Sequence, residues 1–337
     1  MKIRVGLIGL GDHWLSRHYP ALKVLSDRFE VRAICCEIAH RAEKIAREFN
    51  AYAMDGFRAM IAREDIDAVL ALATDWVGPL PILAACDSGK SIYSSSALDI
   101  APDQVDLVRR RVDASGVAFM AELPRRFSPA TIRLKELIAT RLGRPQLLFC
   151  HERMSTEQQT DRLRRGIYCP LTMRHLMELI DWCSYLVDAN PSSVLSGIHC
   201  PSNSKGKSFY QNVNLEFPSF GGHPSASAQI SVGHYIPEKW PEALSYRRPP
   251  SLQVSCENGI AFVDLHTKVV WFDDAGQHTE SLEEDRAVGE QLLTHFYRSI
   301  TSLVRNRSDL DDAYRAMIVA TKANQSADEK RRIYLEW

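Results

Sequence analysis

The chain has 337 residues, of which 45% are apolar and 25% are charged, and its 41 basic side chains nearly balance its 42 acidic ones. This length allows two domains with a hydrophobic core in each. The net charge of −1 argues against nucleic acid or an anionic membrane as a partner, because both attract strongly basic surfaces. The eight cysteines include no Cys-x-x-Cys pair, which indicates reduced thiols rather than disulfides or a zinc site.

No apolar run approaches the length that crosses a membrane, and the first residues contain no secretory signal. We therefore expect a cytoplasmic globular protein whose partners are small molecules, with no nucleic acid and no membrane. Cysteine and histidine are neighbours at 150–151 and at 199–200. Adjacent residues on a strand point to opposite faces, so we expect neither pair to share a metal ion.

Short apolar runs alternate with amphipathic stretches over the first third of the chain. The predicted strands cover residues 3–8, 31–35, 68–72, 91–93 and 117–120, and the predicted helices cover 14–26, 39–49, 80–86 and 102–112. Strands that alternate with helices of this length indicate a parallel, doubly wound α/β sheet. We expect residues 1–122 to form this first domain.

The pattern changes after residue 122. The predicted helices then cover 128–139, 170–187, 290–304 and 312–327, and the predicted strands cover 146–150, several runs between 194 and 272, and 333–335. Long strands separated by turn signals favour antiparallel pairing. We expect residues 123–337 to form an α+β domain with a large, mostly antiparallel open sheet, whose last helix can pack back on the first domain.

A glycine-rich turn follows the first predicted strand and precedes the first predicted helix. Glycines let the backbone pass close to a pyrophosphate, and the helix start presents N–H groups to its charge. We therefore predict a Rossmann domain that binds a dinucleotide, an ordinary tight turn being the alternative. Trp14 stands where a third glycine is usual, which predicts wider packing of the helix on the strand. The candidate cofactor contacts at this turn are Gly6, Gly9, Leu10, Gly11 and Asp12.

The end of the second strand is where an acidic residue usually binds the ribose of NAD. Glu37 lies there and can accept hydrogen bonds from both ribose hydroxyls while disfavouring a 2′-phosphate. Arg41 can instead favour that phosphate, or belong to a charged helix face. We therefore prefer NAD as the cofactor and keep NADP as the alternative.

Polar and aromatic residues also follow the fourth strand, at the carboxyl edge where ligands collect in doubly wound sheets. Thr74 and Asp75 are candidate cofactor contacts, and Asp75 can bind hydroxyls. Trp76 is a candidate substrate contact that can stack on a nicotinamide or a sugar ring. The alternative is that these residues only fill space.

The glycine turn at 6–11 is accompanied by the segments 65–69, 89–90, 126–129 and 143–145, and by His175, Phe296 and Ser326. Together these segments and residues resemble the Gfo/Idh/MocA family of NAD(P)-dependent oxidoreductases over nearly the whole chain. The resemblance implies a Rossmann domain, an α/β domain with a large open sheet, and a site between the domains. It also implies a homo-oligomer formed through that sheet.

The chain departs from the family at its catalytic groups. The family usually has a Glu-Lys-Pro motif after the fifth strand, and Ser96 stands here in place of the lysine. The family's Asp-x-Gly-x-His-x-x-Asp helix has Leu171 at its first position, keeps His175, and ends on Glu178. The loss of the lysine and of the first aspartate puts the usual mechanism in doubt.

Hydride transfer from an alcohol needs a base near the hydroxyl, with a pKa tuned toward neutrality. His175 is the remaining group of this kind, and Glu178, one helical turn away, can orient it or bind a substrate hydroxyl. Tyr168 and Ser96 are further candidates for proton transfer, and Arg174 can hold an anionic substrate. Each of these residues can instead have a structural or solvated role.

Two functions from different classes remain. The first is an NAD(P)-dependent oxidoreductase that acts on a sugar-like or other small polar substrate, with His175 in place of the lysine. The second is a dinucleotide-binding sensor or partner subunit without catalysis, as for a repressor of galactose genes in the resembled family. Redox-neutral chemistry on tightly held NAD also occurs among members of that family, but no residue here supports it.

Overall fold

The computed structural model of the protein describes residues 2–95, 97, 100, 102–155, 171–200, 209–219, 225–264, 267–283, 285–302 and 308–337. Among these residues the chain forms two compact units. Unit 1 comprises residues up to 123 together with 286–314, and unit 2 comprises the rest. Residues 286–314 therefore group with the first unit, whereas the sequence pattern assigns them to the second. No helix in the described part of the chain is both long and apolar enough to cross a bilayer.

Unit 1 is built on a six-stranded parallel sheet with the strand order β3-β2-β1-β4-β5-β6. Its strands are β1 (Ile3–Ile8), β2 (Phe29–Cys35), β3 (Tyr52–Ala53), β4 (Ala68–Ala71), β5 (Ser91–Ser94) and β6 (Phe119–Ala121). Its helices are α1 (Tyr19–Val24), α2 (Ala39–Phe49), α3 (Phe57–Ile61), α4 (Leu80–Asp87) and α5 (Pro102–Ser115). The order reverses between β1 and β4, which is the switch point where doubly wound sheets bind ligands. The doubly wound parallel sheet predicted from the sequence is confirmed.

The helices and strands of unit 1 follow their apolar pattern. Ile3, Val5 and Leu7 on one face of β1 and Ile8 on the other are all fully buried, as expected for a strand that is covered on both faces. The helix α2 buries one stripe of apolar residues and ends at Asn50, whose φ of 52° is left-handed. Such a residue closes a helix by letting N–H groups reach its last carbonyls.

The first helical segment differs from the continuous helix predicted over 14–26. Residues Trp14–His18 form a π-helical turn, and α1 begins only at Tyr19. Pro20 has no N–H to donate to the fourth residue before it, so the α-helical ladder is interrupted there. The Trp14 ring is buried against Tyr19 and Phe49, with centroid distances of 5.7 and 6.2 Å. The wide first turn thus accommodates the residue that replaces the usual glycine.

Residues 286–314 complete the core of unit 1. They contain the helix α8 (Val288–Thr301). Its Phe296 stacks on Phe29 with a centroid distance of 6.5 Å and packs edge-on against Tyr93. A Cβ at Gly289 would lie 2.4 Å from the Arg17 carbonyl oxygen, so only glycine permits this approach to the π-helical turn. These long-range contacts are the physical reason that the segment joins unit 1.

Unit 2 is built on a nine-stranded sheet with the order β14-β13-β12-β11-β7-β10-β9-β8-β15. The first four strands in this order are β14 (Gly276–Ser281), β13 (Lys268–Asp273), β12 (Gly259–Asp264) and β11 (Leu252–Cys256). The other five are β7 (Pro145–Ser155), β10 (Ser227–Ile236), β9 (Phe209–Glu216), β8 (Ser193–His199) and β15 (Ile333–Tyr334). Only β7 and β10 pair in parallel among the strands of this sheet. The predicted large and mostly antiparallel sheet is confirmed.

The two faces of this sheet differ. The remaining helices are α6 (Pro129–Leu137), α7 (Leu171–Val187) and α9 (Ser308–Glu329). On the face under α7, Cys150 of β7 meets Cys183 of the helix, with 3.5 Å between the two sulfur atoms. On the opposite face His151 lies beside Ser231 of β10. Alternate residues of β7 thus separate a covered helix side from an open side.

Candidate nucleotide-binding and catalytic residues

The glycine turn of unit 1 has a backbone that other residues cannot adopt without strain. Gly9 and Gly11 have φ values of 68° and 63°. A Cβ at Gly9 would lie 2.1 Å from the Ala73 carbonyl oxygen, and one at Gly11 would lie 2.7 Å from that of Leu72. The turn is therefore pressed against the chain that leaves β4, at the switch point of the sheet. A bare backbone at this position fits the close approach that a pyrophosphate needs.

The other predicted contacts at this turn have different surroundings. Gly6 lies inside β1, where a Cβ would be 3.0 Å from the end of the Met60 side chain. Gly6 thus makes room for packing inside the sheet. Leu10 is buried, whereas Asp12 is exposed directly before the π-helical turn. Of these three residues, Asp12 is the one whose side chain is accessible to a ligand.

The end of β2 presents one carboxylate and one guanidinium to solvent. Glu37 and Arg41 are both exposed. Between them and the strand lies Cys36, whose pKa is raised to about 11, mainly by burial and further by Cys35. The Cys36 thiol is therefore neutral and does not add a charge beside Glu37. The described geometry is compatible with both the NAD and the NADP alternative.

The chain leaves β4 through a tight turn. The carbonyl oxygen of Thr74 accepts hydrogen bonds from the N–H groups of Val77 and Gly78, at 2.9 and 2.6 Å. Thr74 is buried, while the side chains of Asp75 and Trp76 are exposed. The turn therefore directs the last two side chains outward at the carboxyl edge of the sheet.

Two of the predicted proton-transfer residues, Ser96 and Tyr168, lie outside the described residues. The chain is described up to Ser95, whose N–H donates to the Ala71 carbonyl oxygen at 2.9 Å. The roles proposed for Ser96 and Tyr168 therefore remain predictions from the sequence.

A buried carboxylate that the sequence analysis missed lies directly after β6. Glu122 is 1% exposed, and one of its oxygens is 2.8 Å both from Nε2 of His18 and from the hydroxyl of Tyr93. Its other oxygen accepts a hydrogen bond from Arg17. We call these four residues the Glu122 cluster. In the sequence, the signal for this buried carboxylate was a single acidic residue directly after a short apolar strand.

The charges of the Glu122 cluster determine its protonation. Burial acts to raise the pKa of Glu122, but His18 and Arg17 outweigh burial and hold it well below its usual range. The carboxylate is therefore ionised. It connects the π-helical turn, which carries Arg17 and His18, to the ends of β5 and β6.

Unit 2 contains a second group of buried charges around α7. Arg125 donates to a carboxylate oxygen of Glu152 at 2.7 Å, and its Nε lies 3.8 Å from a carboxylate oxygen of Glu178. Nε of Arg174 donates to the other oxygen of Glu178 at 3.3 Å. His175 lies on α7 between Arg174 and Glu178. We call these five residues the His175 cluster.

Three members of the His175 cluster were predicted from the sequence, and two were missed. Glu152 lies on β7 two residues from Cys150, hence on the helix side of the sheet. Arg125 belongs to the chain that enters unit 2 and is only 7% exposed. Alternation along β7 could have placed Glu152, but nothing local connects Arg125 to α7.

His175 itself is a neutral imidazole. Burial is the main cause that lowers its pKa below the usual value. Glu178 and Glu152 act in the opposite direction, and Arg125 and Arg174 act with burial. Its Nδ1 is buried and has no hydrogen-bond partner among the described residues. This side chain therefore combines an uncharged base with an unmet polar atom, next to two carboxylates that can stabilise its protonated form.

Comparison with known proteins gives a family and two curated relatives. Residues 3–93 match the family described as oxidoreductase family, NAD-binding Rossmann fold. D-xylose 1-dehydrogenase (NADP(+)) 2 of Haloferax volcanii is 28% identical over 144 residues, 41% of this chain and 42% of that protein. Inositol 2-dehydrogenase/D-chiro-inositol 3-dehydrogenase of Shouchella clausii is 26% identical over 192 residues, 54% and 53% of the two chains. The matched stretches thus span about half the length of these curated relatives.

The fold is shared with solved structures over the whole chain. The aldose-aldose oxidoreductase of Caulobacter crescentus superposes with a TM-score of 0.82 at 15% identity, covering 99% of this chain and 100% of that one. A putative myo-inositol dehydrogenase of Sinorhizobium meliloti gives a TM-score of 0.79 at 19% identity, again covering 99% and 100%. At these identities the likeness concerns the fold. Residues 3–93 thus match the NAD-binding Rossmann fold of the Gfo/Idh/MocA oxidoreductase family, which the sequence resembles.

Proposed function

We propose that the protein is a cytoplasmic NAD(P)-dependent oxidoreductase that acts on a sugar-like or other small polar substrate. The observation that carries this proposal is His175, a neutral imidazole inside a cluster of two carboxylates and two guanidinium groups. Its buried Nδ1 has no hydrogen-bond partner in the part of the chain that the structure describes. The names of the two curated relatives, a xylose and an inositol dehydrogenase, support a polyhydroxylated substrate.

The cofactor is proposed to bind at the glycine turn of unit 1. Gly9 and Gly11 would hold its pyrophosphate, since their left-handed backbone leaves no room for a side chain. Glu37 would bind the adenosine ribose of NAD, while Arg41 keeps NADP as the alternative. When bound, the nicotinamide supplies a carbon that accepts or gives a hydride.

His175 is proposed to handle the proton. In the direction of oxidation its neutral ring accepts the hydroxyl proton of the substrate. The resulting imidazolium is stabilised by Glu178 and Glu152, whose charges raise its pKa. In the direction of reduction the same imidazolium donates the proton to the carbonyl oxygen. Tyr168 and Ser96 remain further candidates for this transfer.

Three further residues are proposed to bind the substrate. Glu178 can accept hydrogen bonds from substrate hydroxyls, and Arg174 can bind a polar or anionic group. The exposed indole of Trp76 offers an apolar face on which a sugar ring can stack.

A specific observation also favours the second candidate, a dinucleotide-binding sensor or partner subunit. Ser96 and Leu171 stand where the resembled family has its lysine and first aspartate. A serine hydroxyl accepts a proton only with help from another base, and leucine accepts none. A protein that had lost catalysis would tolerate both changes.

Turnover assays distinguish the two candidates. We would titrate the purified protein with NAD, NADH, NADP and NADPH, and then assay hydride transfer with panels of polyols, aldoses, ketoses and imines. The oxidoreductase proposal predicts saturable turnover with at least one panel member and one of the two cofactor types. Tight dinucleotide binding without turnover on any panel would support the sensor instead.

We also propose that the protein is a homo-oligomer formed through the open side of the unit 2 sheet. Leu147 of β7 and Phe272 of β13 are 47% and 39% exposed there, and apolar residues exposed together are typical of protein interfaces. Light scattering coupled to size exclusion should show an oligomer, and Leu147→Glu combined with Phe272→Glu should lower its mass. A monomeric wild type would contradict this proposal.

A further inference from the structure

A second buried histidine of unit 2 has no assigned role. His234 of β10 is 1% exposed, and neither of its ring nitrogens has a hydrogen-bond partner among the described residues. Its ring stacks on Phe209 of β9 with a centroid distance of 5.6 Å and an interplanar angle of 10°. Buried polar atoms are nearly always paired in proteins, because an unmet donor or acceptor is destabilising. Two unmet atoms on one imidazole therefore call for an explanation.

The state of this ring defines what it can bind. Burial lowers the pKa of His234, so the imidazole is neutral at physiological pH. A neutral imidazole has one nitrogen that donates and one that accepts. Its natural complement is a group that can do both.

Strand register places His234 on the helix side of the sheet. In the parallel pairing of β10 with β7, His234 lies opposite Met154 and Val232 lies opposite Glu152. Alternation along β10 puts His234 and Val232 on the same face, and both are buried, whereas Tyr235 is exposed on the other face. His234 thus lies two residues further along the strands than the facing pair Val232 and Glu152.

The helix α7 brings the His175 cluster to this part of the sheet. α7 packs on both β7 and β10, and Cys183 meets Cys150. From Cys183 back to His175 the helix spans about 12 Å, and from Cys150 forward to Met154 the strand spans about 13 Å. Arg125 contacts both Glu178, which precedes Cys183, and Glu152, which follows Cys150. The helix and the strand therefore run from the cysteine contact in the same direction. His175 therefore comes level with the end of β7 and β10 where His234 lies.

We propose that His234 binds hydroxyl groups of a neutral, polyhydroxylated substrate on the helix side of the unit 2 sheet. This inference rests on the proposed oxidoreductase function and deepens it. A hydroxyl both donates and accepts, so substrate hydroxyls can pair with the donating nitrogen and with the accepting nitrogen of the ring. A carboxylate or phosphate only accepts and leaves one nitrogen unmet. His234 thus favours a neutral sugar or polyol over the corresponding acid, and stacking on Phe209 holds the ring plane.

The proposal predicts opposite effects on stability and on binding. Replacing a buried group that has no partner by an apolar one of similar shape removes the unmet atoms, which is neutral or stabilising. His234→Phe should therefore keep or raise the melting temperature of the ligand-free protein. The same change should weaken binding of a neutral polyol by about tenfold for each hydrogen bond lost. A histidine that serves only the fold would show the reverse.

The experiment compares wild type with His234→Phe, His234→Gln and His151→Phe. Gln keeps one donor and one acceptor and should retain part of the affinity. His151 is the matched control, because it lies on the open side with Nδ1 3.0 Å from Ser231. The probes are D-xylose and myo-inositol, with D-xylonate as the anionic counterpart. We would measure their dissociation constants by calorimetry with the dinucleotide present, the dissociation constant of the dinucleotide alone, and thermal melting without ligand.

We expect His234→Phe to weaken binding of the neutral probes about 10- to 100-fold, to leave dinucleotide binding unchanged, and to melt no earlier than wild type. His151→Phe should leave neutral-probe binding unchanged. A lower melting temperature with unchanged probe binding would overturn the inference, as would tighter binding of D-xylonate than of D-xylose by wild type. If wild type turns over another substrate and His234→Phe does so equally well, this inference fails while the proposed function stands. A wild type that binds neither probe nor any panel member contradicts both.

Discussion

The two buried charge clusters of the molecule differ in how completely their polar atoms are paired. In the Glu122 cluster both carboxylate oxygens are hydrogen-bonded, and among the described residues Nδ1 of His18 is left without a partner. In the His175 cluster, Nδ1 of His175 and Nε of Arg125 have no hydrogen bond to any described residue. Both ring nitrogens of His234, in the same unit, also lack a partner among these residues. Paired charges hold a fold together, whereas unmet polar atoms at similar burial indicate room for a ligand. The first cluster should therefore control stability and the second activity.

The largest expected effect is on activity, for His175→Ala. The general base should be lost, so that turnover falls by about 10²–10⁴-fold. Dinucleotide affinity should change little, because the proposed cofactor contacts Gly9 and Gly11 belong to unit 1 and His175 belongs to unit 2. Steady-state kinetics beside a binding titration measure both. Turnover equal to that of wild type would remove His175 from the mechanism.

Glu122→Ala should have the largest effect on stability. Removing one partner of a buried ion pair costs about 3–5 kcal/mol, and here Arg17 and His18 would lose their carboxylate together. Chemical denaturation measures the free energy of unfolding of both proteins. A loss below 1 kcal/mol would mean that the Glu122 cluster does not carry the stability of unit 1.

The stability contributed by Glu122 should depend on pH in one direction. Its folded pKa lies well below its usual range, so its contribution is complete above the unfolded value of about 4.3 and is lost as the pH falls through the folded pKa. Wild type should therefore exceed Glu122→Gln in stability at neutral pH, and the gap should narrow below about pH 4. A gap that stays constant down to pH 2 would contradict this linkage.

Gly9→Ala should reduce dinucleotide binding more than a matched glycine substitution does. Both Gly9 and Gly89 have left-handed φ values, so alanine strains each by about 1–2 kcal/mol. A Cβ at Gly9 additionally clashes with the Ala73 carbonyl oxygen, whereas one at Gly89 has no atom within 4 Å. Fluorescence titration with NADH and NADPH should show a loss of affinity for Gly9→Ala alone. Equal affinities of the two variants would contradict the assigned cradle.

The pH profile of activity sharpens the role of the carboxylates beside His175. Glu178 raises the pKa of His175 against the effect of burial. In Glu178→Gln that support is absent, so the acid limb of the kcat/KM profile for oxidation should move to lower pH. Glu283→Gln, a change at an acidic residue outside the cluster, should leave the limb in place. A limb that moves upward in Glu178→Gln would contradict the assignment of this limb to His175.

The smallest expected effect concerns the choice of cofactor. Glu37→Ser should raise the ratio of NADP to NAD affinity, because a carboxylate repels the 2′-phosphate. Arg41→Ser should lower the same ratio. Because both side chains are exposed, salt should weaken both effects. Unchanged ratios in both variants would show that the ribose binds elsewhere.

How far the sequence predicts this molecule depends on the distance between the residues involved. Alternating apolar runs predict the parallel sheet, and the glycine turn places Gly9 and Gly11 at its switch point. His175, Glu178 and Arg174 follow from one helical segment. The interrupted first helix could have been read from Pro20, but the grouping of residues 286–314 with unit 1 depends on Phe296 reaching Phe29 across the chain.

The partners of the charged groups were the least predictable part. Arg125 pairs with Glu152 and Glu178, which are 27 and 53 positions away in the chain, and no local pattern encodes such contacts. The isolation of His234 is a property of its surroundings rather than of its neighbours in sequence. Buried polar atoms without partners can be recognised only once the sheet and α7 are assembled.

The most direct measurement is a crystal structure of the protein with reduced or oxidised dinucleotide and a turned-over polyol or its ketone. We expect the reacting oxygen about 2.6–3.2 Å from a ring nitrogen of His175, and a second substrate hydroxyl within hydrogen-bond distance of His234. A reacting oxygen bonded to another proton donor, with both imidazoles away from the substrate, would contradict the central role of His175.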